Sequence, residues 1–194
     1  MHGGLLLVVS WSQLVDAVNA CERCGLRAGC NRVVVGEGNP DAEVMLIGEG
    51  PGADEDRLGR PFVGRAGQLL TKMIEAIGMK RDDVYICNIV KCRPPGNRTP
   101  TPDEAAACID FLRAQTALVK PKIIVLLGST AGKAVIGQGF MVTRDRGKWI
   151  YRKDVRIMPT FHPSALLRDE ALKRPAWQDF KAVREMLKSL GGNQ

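Results

Sequence analysis

Four short apolar runs, each passing into a loop of glycine, asparagine or histidine, constrain this chain more than any other feature. Ala42 to Gly48 enters the stretch GEGPG, Val84 to Val90 contains Asn88, Lys122 to Leu127 ends at Gly128, and the shorter run Val155 to Thr160 precedes His162. Runs of this length and composition read as buried strands. Between the first two, Leu69, Leu70, Met73, Ile74 and Ile77 fall at helical spacing, with Gly78 as the residue just past the helix end. Thr101, Pro102, Asp103 and Glu104 form a capping box with Pro at the first helical position. The helix it starts carries Cys108 in its second turn and Ile109, Leu112 and Val119 on an apolar face. Pro175 to Leu190 closes the chain with a further amphipathic pattern.

This alternation predicts a three-layer α/β/α fold with a central, mostly parallel four-stranded sheet. Ligands then bind in the crevice beyond the strands' carboxyl ends. No internal repeat, low-complexity tract or linker interrupts the pattern, so residues 1–194 read as one domain, with residues 1–30 as an N-terminal segment. The Gly- and Asn-rich last residues are expected to fray. Apolar residues make up 45% of the 194, enough for a sizeable core. No run is long enough to span a bilayer, and Leu5 to Val9 lacks the basic flank and cleavage site of a signal peptide. A cytoplasmic location without a membrane partner is the expectation. The 28 Lys and Arg against 21 Asp and Glu leave a charge of +7, which favours a polyanionic partner without identifying one.

Six cysteines in such a chain argue against a disulfide framework and for metal ligation, catalysis or burial. Cys21 and Cys24 form a CxxC pair, and with the distant Cys92 and Cys108 they suggest one shared site. Cys30 and Cys87 are left over. Gly48 to Leu70, directly after the first strand, holds six glycines and four acidic residues. It reads as a strand-to-helix connection or a phosphate cradle, yet it matches neither the dinucleotide fingerprint nor the P-loop ending. Its glycines would let backbone amides approach a flat ligand. Taken singly, Asn88 is an ordinary turn former and His162 before Pro an ordinary structural histidine. Their convergence with the Gly-rich loop on one sheet edge makes them candidates.

These segments, GEGPG with GRPFVGRAG, NIVKCRPPGNRTP, the HPS element and four cysteines in that order, resemble the uracil-DNA glycosylase superfamily, specifically its iron–sulfur class (family 4, type A). The resemblance covers most of the chain. It implies excision of uracil by hydrolysis of the N-glycosidic bond of a deoxyuridine turned out of the DNA stack. It also implies a monomer whose partner is uracil-containing DNA, single- or double-stranded, with any replication-clamp contact left open. Two rival readings are a non-catalytic uracil-sensing DNA-binding module and a zinc-stabilised nucleic-acid binder.

The resemblance further implies that Cys21, Cys24, Cys92 and Cys108 hold a structural [4Fe–4S] cluster; zinc would use the same ligands, usually as two CxxC pairs. Cys87 reads as a buried core thiol. By the same resemblance, Glu49, Gly50, Glu55, Phe62, Asn88 and His162 form the uracil site. Phe62 stacks on the base, or is a core aromatic. Asn88 pairs with O4 and N3–H, and Glu55 lies against C5, where thymine carries a methyl. His162 hydrogen-bonds O2 as negative charge develops there. The best-known members place an Asp at the third position of the first motif, where this chain has Gly50, so Glu49 or backbone groups are the candidates to place the water. A related branch uses a His in a basic insertion after the Asn motif for covalent capture; CRPPGNRTP has neither. Leu166 resembles the wedge that fills the vacated stack, or else begins a buried helix. Arg168, Ser129 and Arg98 are candidate phosphate contacts, Ser129 at the expected helix start formed with Gly128 and Thr130.

Overall fold

The computed structural model describes residues 10–191. The readings on Leu5 to Val9 and on the final residues 192–194 lie outside the described residues. In chain order the elements are α1 (Trp11–Asn19), β1 (Glu37–Gly38), β2 (Val44–Gly48), α2 (Ala53–Leu58), α3 (Arg65–Ala76), β3 (Tyr85–Asn88), α4 (Pro102–Val119), β4 (Ile123–Leu127), α5 (Gly128–Val135), α6 (Val142–Asp145), β5 (Ile150–Arg152), β6 (Val155–Thr160), α7 (Pro163–Arg168) and α8 (Lys173–Gly191).

The four expected strands form the parallel centre, in the order β3-β2-β4-β6. The sheet has six strands rather than four, because β1 adds antiparallel to β3 and β5 antiparallel to β6 at the two edges. Their two and three residues are too short to show an alternating pattern in sequence. All residues of β2, β3 and β4 are buried, as strands covered on both faces require.

Alternate residues of each strand serve different faces. Met45, Ile47, Cys87, Ile124 and Leu126 pack with Leu14 and Val18 of α1 and with Phe111 and Leu112 of α4. Val44, Leu46, Ile86, Val125 and Met158 pack on the other side with Leu70 and Ile74 of α3 and with Phe180 and Val183 of α8. Three layers result. The capping box is present: Thr101 Oγ1 accepts from the Glu104 N–H at 3.2 Å, and Glu104 returns a carboxylate oxygen to the Thr101 N–H at 2.8 Å. Gly78, at φ 84°, follows α3 as expected. The register sets Gly48 beside Asn88 and Leu127 beside Thr160, so the loops after all four central strands leave the same edge.

Candidate active site

At that edge a cavity of about 270 Å³ is lined by Glu49, Gly50, Glu55, Phe62, Asn88 and His162, with Ser164, Asn97 and Arg98 at its rim. The structure therefore brings together all six residues of the expected base site.

Phe62 sits in the left-handed region at φ 51°, which is strained for a residue with a side chain. Three contacts hold it. A Cβ on Gly67 would lie 1.8 Å from the Phe62 carbonyl oxygen, so only glycine lets α3 approach so closely. One Glu55 oxygen accepts from the N–H groups of Val63 and Gly64, both at 2.9 Å, and the other from the Gly52 N–H at 3.1 Å. Arg81 Nη2 donates to the Pro61 carbonyl at 2.5 Å. Beneath the ring, a Cβ on Gly48 would come within 2.4 Å of Phe62 and 2.5 Å of Asn88 Oδ1. Gly50 packs against Val90 so tightly that its Cβ would lie 2.7 Å from a Val90 methyl carbon. Val90 thus fills the space an aspartate at position 50 would need.

Asn88 is 2% exposed, and its Oδ1 is the one buried side-chain polar atom without a hydrogen-bond partner among the described residues. A buried acceptor left unpaired costs about 1–3 kcal/mol. His162 caps α7: its Nδ1 accepts from the Ser164 N–H at 3.1 Å and lies 2.8 Å from Ser164 Oγ. Burial and the nearby Arg168 charge lower its pKa to about 4, partly offset by Glu55. The ring is neutral at pH 7. Because Nδ1 accepts from a backbone N–H, the single ring proton resides on Nε2, leaving a donor there. The rings of Phe62 and His162 are 5.6 Å apart, tilted by 35°.

Glu49 is anchored by the hydroxyl of Thr130, at the start of α5. Ser129 is exposed next to it and lines an adjoining cavity with Lys133. Arg168 is exposed; Arg98 is also exposed and is paired with Glu104 at 2.7 Å. Leu166 requires a correction: it is 1% exposed and packs with Phe161 and Ala176, so it belongs to the core and is not available as a wedge. The exposed leucine of α7 is Leu167.

On the far side of the Asn88 loop, Cys21, Cys24, Cys92 and Cys108 line a common cavity of about 20 Å³ with Val18, Leu26, Val90 and Phe111. Burial pushes the Cys92 and Cys108 thiols up, and the thiols act on one another across the gap. Among the described residues, no three His, Cys, Asp or Glu side chains converge tightly enough to hold a single metal ion. Cys87 is fully buried. Cys30 touches both Cys92 and Asp56. Asp56, buried in α2, also accepts from the Asn31 N–H at 2.9 Å and from Asn31 Nδ2 at 2.5 Å. This joins the cysteine lobe to the base-site loop.

A parallel α/β sheet whose strand ends surround an aromatic ring, an amide and a neutral imidazole defines a site for a flat, polar ring. The sequence model of the uracil DNA glycosylase superfamily matches residues 35–181, and the chain belongs to that superfamily. It is 47% identical over 182 residues to a type-4 uracil-DNA glycosylase of Thermotoga maritima, covering 91% of this chain and 94% of the relative. The type-4 uracil-DNA glycosylase of Sulfurisphaera tokodaii is 45% identical over 91% of this chain and 84% of its own length. That of Archaeoglobus fulgidus is 39% identical over 91% and 93%.

Proposed function

We propose that this protein is a uracil-DNA glycosylase that hydrolyses the bond between deoxyribose and a flipped-out uracil. The observation that carries the reading is the orphaned Asn88 Oδ1, buried in the same cavity as a neutral His162 and the Phe62 ring. Uracil offers N3–H to that oxygen and O4 to the amide nitrogen, whereas cytosine presents an amino group and a bare ring nitrogen in those places. Phe62 provides the stacking face. Glu55, fixed by three backbone N–H groups, forms an immobile wall against a C5 methyl.

As the sugar–base bond breaks, charge collects on O2, and the Nε2–H of His162 is the donor that meets it. A donor already fixed before reaction needs no reorganisation. Glu49, held by Thr130, orients the attacking water; Val90 keeps position 50 free of a carboxylate. Leu167, the exposed leucine of α7, enters the vacated stack, with Arg168, Arg98 and Ser129 toward the phosphates.

The four thiols around one apolar cavity are soft donors suited to a [4Fe–4S] cluster, which Cys21, Cys24, Cys92 and Cys108 would hold. A single zinc would need all four sulfurs within about 2.3 Å of one centre. Hydrolysis moves no electrons, so the group would supply rigidity to the lobe behind the Asn88 loop. The test of function is a uracil-containing oligonucleotide incubated with protein and treated with alkali. Scission at uracil supports the reading; tight binding without scission supports the sensing module instead.

A further inference from the structure

One buried charge lies between the base site and the cysteine cavity and has no part in the chemistry above. Lys91 is 2% exposed and among the largest fully buried side chains. Its Nζ donates to the Asn88 carbonyl at 2.7 Å and to Gln115 Oε1 at 2.6 Å, both neutral acceptors. Gln115 is itself fixed, donating to the Val35 carbonyl at 2.7 Å and to the Tyr85 hydroxyl at 2.9 Å. Among the described residues no carboxylate pairs with Lys91. An ammonium in such a place is costly unless a negative group lies nearby.

Lys91 lines the cysteine cavity together with Cys21, Cys24, Cys92 and Cys108, and its backbone N–H bonds the Cys108 sulfur. Cys92 is the next residue in the chain, and Gln115 lies about two turns beyond Cys108 on the same helix. Lys91 thus contacts the cysteine lobe through its backbone, its neighbour and its side-chain partner. Its ammonium meanwhile grips the carbonyl of the residue that reads uracil.

We propose that Lys91 is the buried counter-cation of the anionic group held by Cys21, Cys24, Cys92 and Cys108, and that its bond to Asn88 makes base recognition depend on that group. This rests on the metal-centre reading above. Four thiolates bring more negative charge to the lobe than the metal centre neutralises, and Lys91 offsets part of the remainder. Without the group, Lys91 becomes an uncompensated charge in the core and leaves its place, and the Asn88 carbonyl is released with it. Lys91 is a positioning residue: it acts through Asn88 and touches no reacting atom.

The experiment uses full-length protein as purified, with iron, acid-labile sulfide and zinc measured first in the wild type. Lys91→Met and Lys91→Gln are then compared with it for the rate of metal release to a chelator and for reduction potential. Both variants lack the charge, but glutamine retains a donor for the Asn88 carbonyl. The expected result is release about 10–100-fold faster in both variants, the range typical of lost outer-shell partners, with potentials shifted in the negative direction. Wild-type release and potential in both variants would overturn the proposal. So would recovery of wild-type behaviour by glutamine alone, which would assign Lys91 a hydrogen-bonding role only. Zinc without iron in the wild type would end the cluster reading, while faster zinc release in both variants would still support the counter-cation. A wild type holding neither metal would end both.

Discussion

His162 combines two properties that sequence does not reveal: a lowered pKa and a fixed tautomer. Its place before Pro163 and Ser164 was legible, but its protonation depends on burial and on Arg168. An unfolded histidine takes up its proton near pH 6.5, while the folded one does so only near pH 4. Above about 6.5 both forms are neutral and His162 contributes no pH dependence. Between 6.5 and 4 the unfolded chain binds the extra proton, so falling pH erodes stability through that window. A kcat/KM profile without an inflection near pH 6.5 is therefore expected; a bend there would show that His162 titrates normally in the free enzyme. Removing the ring by His162→Ala should slow single-turnover excision about a hundred- to a thousandfold with DNA affinity little changed. An unchanged rate would remove His162 from the mechanism. Asn88→Asp should admit cytosine, and uracil excision surviving with none of cytosine would contradict the recognition role.

At the scale of elements, the four central strands and the capped helix were readable because their signals are local: a short apolar run, or a Thr-Pro-Asp-Glu sequence. What sequence could not supply were the partners that position them. Thr130 bonding Glu49 across 81 positions, and Glu55 bracing Val63 and Gly64, leave no periodic trace. The facing of α7 was also hidden, since its six residues make too few turns to distinguish Leu166 from Leu167 as the inward one. Replacing Leu166 with Ala should cost about 2–5 kcal/mol of stability, measured by denaturant unfolding. The change Leu167→Ala should leave stability intact and reduce excision from duplex more than from single strands. The opposite pattern would restore Leu166 as the wedge. Gly67→Ala should displace the Phe62 loop and reduce both stability and excision; a fully active variant would show that the loop needs no such clamp.

Across the whole molecule, the fold arranges two lobes about one sheet edge: a base pocket built from loops after β2, β3 and β6, and a cysteine lobe joining α1 to α4. Strand order brought Asn88 beside Gly48, and with that pairing the pocket forms. The +7 charge was visible from composition, yet the place of Arg98 on the pocket lining was not. Each phosphate neutralised by Lys or Arg lowers affinity further as salt rises. Central to this account is that Asn88, Phe62 and His162 hold uracil while its bond to deoxyribose breaks. The most direct measurement is alkali-revealed scission of a uracil-containing oligonucleotide by the wild type and by His162→Ala. Scission at the uracil position by the wild type, strongly reduced in the variant, is the predicted result; bound but uncut DNA in both would contradict it.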